Sequence, residues 1–133
     1  MGFESYNLKL TMIKKYEIRK IINIFIDMNY HIVNENILEK ITENGFIEIL
    51  IENDNISIRT AKANSVHIID DIFNDIKKIS HKIPINIFDF QLKQNISLEN
   101  YILTFDKFSS LQNEFNYLFP YIKFPIRCND VIM

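Results

Sequence analysis

The sequence predicts an α+β fold: a ferredoxin-like βαββαβ unit with a four-stranded antiparallel sheet and an extra C-terminal helix. Three observations carry this. The apolar period switches between two and about 3.6 residues along the chain. The segments follow one another as strand, helix, strand, strand, helix, strand, helix, the split β-α-β arrangement. The chain has 133 residues with two Gly, three Pro and no repeat or linker, which makes a single domain over residues 1–133 that can bury a core without a disulfide or metal. Right-handed crossovers then place both long helices on one face of the sheet.

Over residues 3–12, Tyr6, Leu8, Leu10 and Met12 alternate with Ser5, Asn7, Lys9 and Thr11, the pattern of a half-buried strand. Over 15–28 the spacing changes, and Ile18, Ile21, Ile22 and Phe25 at i, i+3, i+4 and i+7 predict an amphipathic helix. Residues 29–44 are polar and ambiguous. Asn34 or Asn36 would cap a short helix holding Ile37, Leu38 and Ile41, with Gly45 as its left-handed terminator. Ile47, Ile49 and Ile51, then Ile56 and Ile58, alternate on either side of Glu52-Asn53-Asp54-Asn55. Asn and Asp accept the positive φ of a tight turn, so 46–51 and 56–60 form a β-hairpin.

Asn64 and Ser65 suit the cap of a second helix over 65–81, with Ile69, Ile72, Phe73, Ile76 and Ile79 on its apolar side. Asp70 and Asp71 near its start, and Lys77, Lys78 and His81 near its end, agree with the helix dipole, and Pro84 stops it. Residues 85–92 read as the fourth strand, with Ile85, Ile87 and Asp89 on one face and Asn86, Phe88, Phe90 and Leu92 on the other. Ser97 caps a third helix through Leu98, Tyr101, Ile102, Phe105, Phe108, Phe115 and Phe119, broken near Ser109-Ser110 and ended by Pro120. Leu50, Phe88, Phe90 and Leu92 give the second face of the sheet apolar content, so the third helix or a partner protein is expected to cover part of it.

Fifteen Lys and Arg against 17 Asp and Glu give a net charge of -2 and a pI near 5.9, a poor balance for neutralising phosphates, so nucleic acid is not an expected partner. Lys14-Lys15, Arg19-Lys20 and Lys77-Lys78 fall inside helical patterns and read as solvated faces. Neither a secretory signal nor a run of about 18 apolar residues is present, so no membrane span is expected. The single Cys128 suits a reducing, cytoplasmic setting.

His31, His67, His81 and Cys128 have no partner at metal-ligand spacing, and Gly2 and Gly45 are too few for a phosphate-cradling loop. Neither a metal nor a cofactor is expected. There is no G-x-S-x-G elbow, and Cys128, in a tail with no His close in sequence, reads as a partly buried inert thiol. No catalytic residue is assigned, and the chain is not read as an enzyme. Asp71 and Asp75, four apart, share a helix face. They read as solvated charges on the polar side of the second helix, or as an acidic patch for a basic partner. Phe88 and Phe90 read as core rather than as a base-stacking pair, and Asp89 as the strand's end or a partner of Arg59, the alternative being a grip on a partner's Lys or Arg.

Three stretches carry a resemblance: Phe3-Glu4-Ser5-Tyr6, Ile58-Arg59-Thr60-Ala61-Lys62-Ala63-Asn64, and Ile85-Asn86-Ile87-Phe88-Asp89-Phe90-Gln91-Leu92. Together they resemble small bacterial proteins that look like the immunity partners of polymorphic or contact-dependent toxins. The resemblance implies a cytoplasmic binding module that blocks a cognate toxin, and it carries over no catalytic residues. The function expected is therefore immunity-like neutralisation of a toxin domain by direct occlusion. Glu48, Glu52, Asp54, Asp70, Asp71 and Asp75 are the expected partner-binding residues, because carboxylates steer association with a basic surface. The alternative is a small-molecule-binding or regulatory domain with its pocket between the sheet and the C-terminal helix. The second sheet face and an open hairpin edge are both compatible with a homodimer.

Overall fold

The computed structural model of the chain describes residues 5–123 and 125–128. Within them the elements run β1 (Ser5–Met12), α1 (Ile18–Ile26), β2 (His31–Asn34), β3 (Ile37–Thr42), β4 (Gly45–Ile51), β5 (Asn55–Ala61), α2 (Ile68–Ser80), β6 (Ile85–Asp89), β7 (Gln94–Ile96) and α3 (Ile102–Leu118). The strands form one antiparallel seven-stranded sheet in the order β2-β3-β4-β5-β1-β6-β7. This corrects the four-stranded ferredoxin-like sheet. The four strands read from the sequence are neighbours, β4-β5-β1-β6, but they are the middle of a wider sheet that three further strands extend at both edges. Phe3 and Glu4, where the first strand was expected to begin, lie outside the described residues, as do residues 129–133.

Two of the added strands replace the expected short helix. Asn34 and Asn36 flank a tight turn in which Glu35 takes φ 44°, and the Asn36 side chain donates to the Ile51 carbonyl at 2.5 Å. Asparagine suits such a turn as well as it suits a helix cap. Gly45 likewise ends no helix. It follows the β3–β4 turn with φ 142°, and a Cβ there would come within 2.2 Å of the Asn64 side chain. Both the backbone conformation and the space call for glycine.

The third added strand exists because the fourth expected strand stops early. Asp89 turns the chain: its Oδ1 accepts from the backbone N–H of Gln91 at 2.8 Å and of Leu92 at 3.0 Å. Lys93, at φ 59°, completes the reversal into β7. The third helix starts at Ile102, beyond the expected cap Ser97, and runs unbroken past Ser109-Ser110.

Along β1, Tyr6, Leu8, Leu10 and Met12 point to one side of the sheet, with Ile47, Ile49, Ile51, Ile56, Ile58 and Ile87 from its neighbours. α1 covers this side with Ile21, Ile24 and Phe25. α2 adds Ile69, Ile72, Phe73, Ile76 and Ile79. α3 joins them on the same side, which corrects the expectation that the third helix covers part of the other face. Its Phe108 ring lies 5.5 Å from that of Tyr6, and its Tyr101 neighbour stacks on Phe73 at 4.2 Å. Tyr6, Thr104 and Phe108 are fully or nearly fully buried where α3 meets the sheet, so side chains fill the place where a ligand pocket was expected. No helix among the described residues is long and apolar enough to cross a membrane.

After α3 the chain folds back. Phe115, Phe119, Ile122, Ile126 and Cys128 pack around Ala61 and Ala63 as a second, smaller cluster. Asn64 clasps this tail: its side-chain amide donates to the Ile126 carbonyl at 2.9 Å and accepts from the Ile126 N–H at 2.8 Å. The tail thereby reaches the side of the sheet that carries no helix.

Candidate functional site on the open face of the sheet

Strand parity fixes what the helix-free face presents. Residues opposite one another across antiparallel strands share a face. One row reads Ile37, Leu50, Ser57, Lys9, Phe88, Asn95 across six strands. The next reads His31, Glu39, Glu48, Arg59, Asn7. A row carrying Ile37, Leu50 and Phe88 therefore lies beside a charged one.

Glu39 and Glu48 stand directly opposite each other, a repulsive arrangement that two arginines relieve. Arg59 donates to Glu48, and Arg127, from the tail, donates to Glu39 at 2.7 Å. The Arg127 guanidinium also lies 4.3 Å from the centre of the Phe46 ring, a cation–π contact. His31 approaches the other Glu39 oxygen at 3.7 Å. Cys128 sits against this cluster, and burial pushes its thiol up to about 11, Glu48 adding to the shift and Arg59 opposing it.

Beside the charged row is a groove of about 480 Å³. Its apolar walls are Ile37, Leu50 and Phe90, and Asn7, Ser57 and the Arg59–Glu48 pair give it polar groups. Leu50 is 38% and Phe90 47% exposed. Phe88 and Phe90 meet edge to face at 5.3 Å on this side, so they are not the core pair that the sequence suggested. Exposed Ile41 extends the apolar surface along β3.

The six carboxylates expected to bind a partner do not form one surface. Glu48 faces the open side and is engaged by Arg59. Glu52 and Asp54 are exposed at the β4–β5 turn. Asp70, Asp71 and Asp75 lie on α2, across the sheet. There Asp70 accepts from the Tyr101 hydroxyl at 2.8 Å and lies 3.2 Å from His67 Nδ1. It opens on a recess of about 400 Å³ shared with Glu99, Tyr101 and Phe105. Asp71 accepts from the Thr42 hydroxyl at 2.7 Å and from the Asn44 amide at 3.0 Å. Asp75 is buried, 2.8 Å from Lys40 Nζ and 2.9 Å from the Tyr30 hydroxyl. It is not a solvated charge, because it lies three residues after Ile72 and four before Ile79, on the buried stripe of the helix.

Asp89 differs in another way from its expected role. It points to the helix side, whereas Arg59 points to the open face, so the two do not pair. Its Oδ2 accepts from Tyr6 at 2.5 Å and Thr104 at 2.8 Å, and its Oδ1 also accepts from the Gln91 amide at 2.9 Å. The Tyr6 phenol is held far above its usual range, first by burial and then by the bond to Asp89.

These geometries offer recognition chemistry: apolar walls for an inserted side chain, and paired charges that fix its direction of approach. Among the described residues no three His, Cys, Asp or Glu side chains gather where a metal ion would be held. The sequence reading missed Ile37, Asn7 and Arg127. Strand parity across 31–42 would have found Ile37 once β3 was recognised, whereas nothing local announces that Arg127 returns to Glu39. No family model, no curated protein and no solved structure matches the chain.

Proposed function

We propose that this chain is an immunity-like binding protein that neutralises a bacterial toxin domain in the cytoplasm by covering it, and that the open face of the sheet makes the contact. The observation that carries the reading is the groove bounded by Ile37, Leu50 and Phe90 above the Arg59–Glu48 pair. An exposed apolar concavity with a central charge pair is the form that an anchor side chain of a protein partner fills, with polar groups around it setting register. Of the six carboxylates first assigned to the partner, Glu48, Asp70, Asp71 and Asp75 already hold contacts to other elements of the chain, and Asp54 accepts from the adjacent Asn55 amide at 2.9 Å. Glu52 and Asp54 keep the steering role: they project from a turn and attract a basic toxin surface without being needed by the fold.

The test uses tagged protein to recover its partner from the native host and to protect cells expressing that partner. Leu50→Asp with Phe90→Asp should keep the melting temperature, since both side chains are exposed, and should weaken binding by about tenfold or more through faster dissociation. Glu52→Lys with Asp54→Lys should slow association at low salt and leave dissociation nearly unchanged. Full protection by the Leu50/Phe90 variant would overturn the assigned surface. Recovery of metabolic proteins alone, with no protected toxicity, would overturn the function.

A further inference from the structure

We propose that β2 is the interface of a homodimer, in which two copies pair their β2 edges antiparallel about a two-fold axis perpendicular to the sheet. β2 is the end strand of the sheet, so one row of its backbone groups has no strand beside it among the described residues. All four of its residues are exposed, Ile32 at 51% and Val33 at 56%. Edge strands that stay single are commonly interrupted by Lys, Pro or inward-pointing charges. His31-Ile32-Val33-Asn34 contains no Lys, Pro or carboxylate; its four-residue length and its bulge limit the pairing to a short stretch. A bulge leaves Val33 without a partner on β3, and a β-branched side chain is exposed there.

A second copy is the occupant because the edge is complementary to itself. Pairing centred on Ile32 sets Ile32 against Ile32 of the second copy and His31 against Val33 of the second copy. No like charges then face each other. The axis keeps both helix layers on the same side. α1 packs against β2, and its last residue, Ile26, is 41% exposed. The opposite edge offers no such match: β7 has three residues, its Gln94 and Asn95 are exposed and polar, and Lys93 precedes it. Four edge residues and a few isoleucines bury less than the roughly 1,200 Å² of a standard interface, so the dimer dissociates in the micromolar range or above.

The pairing is centred on Ile32 at the sheet edge, outside the groove of Ile37, Leu50 and Phe90, whereas Val33 borders the Glu48–Arg59–Arg127 cluster, so Ile32→Lys is the variant that separates dimerisation from toxin binding. Sedimentation velocity of the full chain from about 1 to 300 µM should show the mass rising from 15.9 kDa toward twice that value. Ile32→Lys and, separately, the more exposed Val33→Lys should keep the circular dichroism and melting temperature and weaken the dimer by about tenfold or more. Gln94→Lys on β7 should dimerise like the unmodified chain. β2 amides should also exchange more slowly as concentration rises. A single-chain mass at every concentration would overturn the proposal, as would a dimer indifferent to both β2 variants or one abolished by Gln94→Lys.

Discussion

Asp89 gives the sharpest test of how the two layers are joined. Its carboxylate is wholly buried and accepts from Tyr6, Thr104, the Gln91 side chain and the amides of Gln91 and Leu92. Removing a carboxylate from water costs several kcal/mol, and each hydrogen bond to a charged group returns about 1.5–3 kcal/mol. Asp89→Ala leaves all those donors without their acceptor. Since they act as one network the losses do not add, and the expected destabilisation is about 3–5 kcal/mol. Asp89→Asn keeps an acceptor for the two amides, and the hydroxyls of Tyr6 and Thr104 can rotate to accept from its new NH₂ group. It should cost about 1–2 kcal/mol. Tyr6→Phe, which leaves the charge one donor short, should cost about 1.5–3 kcal/mol. Urea denaturation followed by circular dichroism reads all three against a total stability of about 5–15 kcal/mol. The reasoning is refuted if Asp89→Ala costs less than about 1 kcal/mol. It is equally refuted if Tyr6→Phe and Asp89→Asn combine additively to within about 0.3 kcal/mol, since contacting residues should couple.

Two further outcomes concern titration. Burial, then the bond to Asp89, raises the Tyr6 phenol, and burial, then the charge and hydrogen bond of Asp75, raises that of Tyr30. In both cases the folded value exceeds the unfolded value of about 10, so the two states hold equal protons below that pH, and above it the unfolded chain releases them first. Urea midpoints should therefore be flat with respect to these groups up to about pH 9 and fall beyond about pH 10. Tyr6→Phe and Tyr30→Phe should flatten the fall, and an unchanged slope in both would count against the assignment. For Cys128, a thiol raised to about 11 is scarcely ionised at neutral pH. Its alkylation by iodoacetamide at pH 8 should run about 100-fold slower than that of free cysteine and speed up as pH approaches that value. Reaction at the free rate would show the thiol to be exposed.

The elements legible in the sequence are those whose apolar period is clean. β1, the β4–β5 hairpin, α2 and β6 each alternate or repeat without interruption near the expected positions. β2 and β3 were illegible because their inward positions are not apolar throughout. Lys40 occupies one, made tolerable by Asp75 and by the Met28 carbonyl at 3.2 Å, and β2 is exposed along its length. β7 has a single buried residue, Ile96, too little to show any period. The acidic surface failed as a reading for a related reason. Counting carboxylates ignores which helix stripe each one occupies and which hydroxyl lies across from it, and the partners of Asp70 and Asp75, Tyr101 and Tyr30, come from distant segments. The parity of Asp89 with Ile85 and Ile87 was visible and already pointed inward, away from Arg59.

The central position of β1 bears on how the chain can be synthesised and folded. It is the earliest of the described strands, yet its neighbours on both sides, β5 and β6, are built long after it. At about 5–20 residues per second, several seconds of translation separate the release of Leu8 and Leu10 from that of their partners Ile58, Ile56 and Ile87. Until β5 is made, that apolar strand has two bare edges, because α1 and β2 to β4 emerge first and none of these strands pairs with it. Folding is then gated by long-range closure, the slow regime for two-state domains. A nascent chain halted between β5 and β6 would display a sheet open along its middle strand, the point at which a chaperone or a neighbouring copy would first engage it.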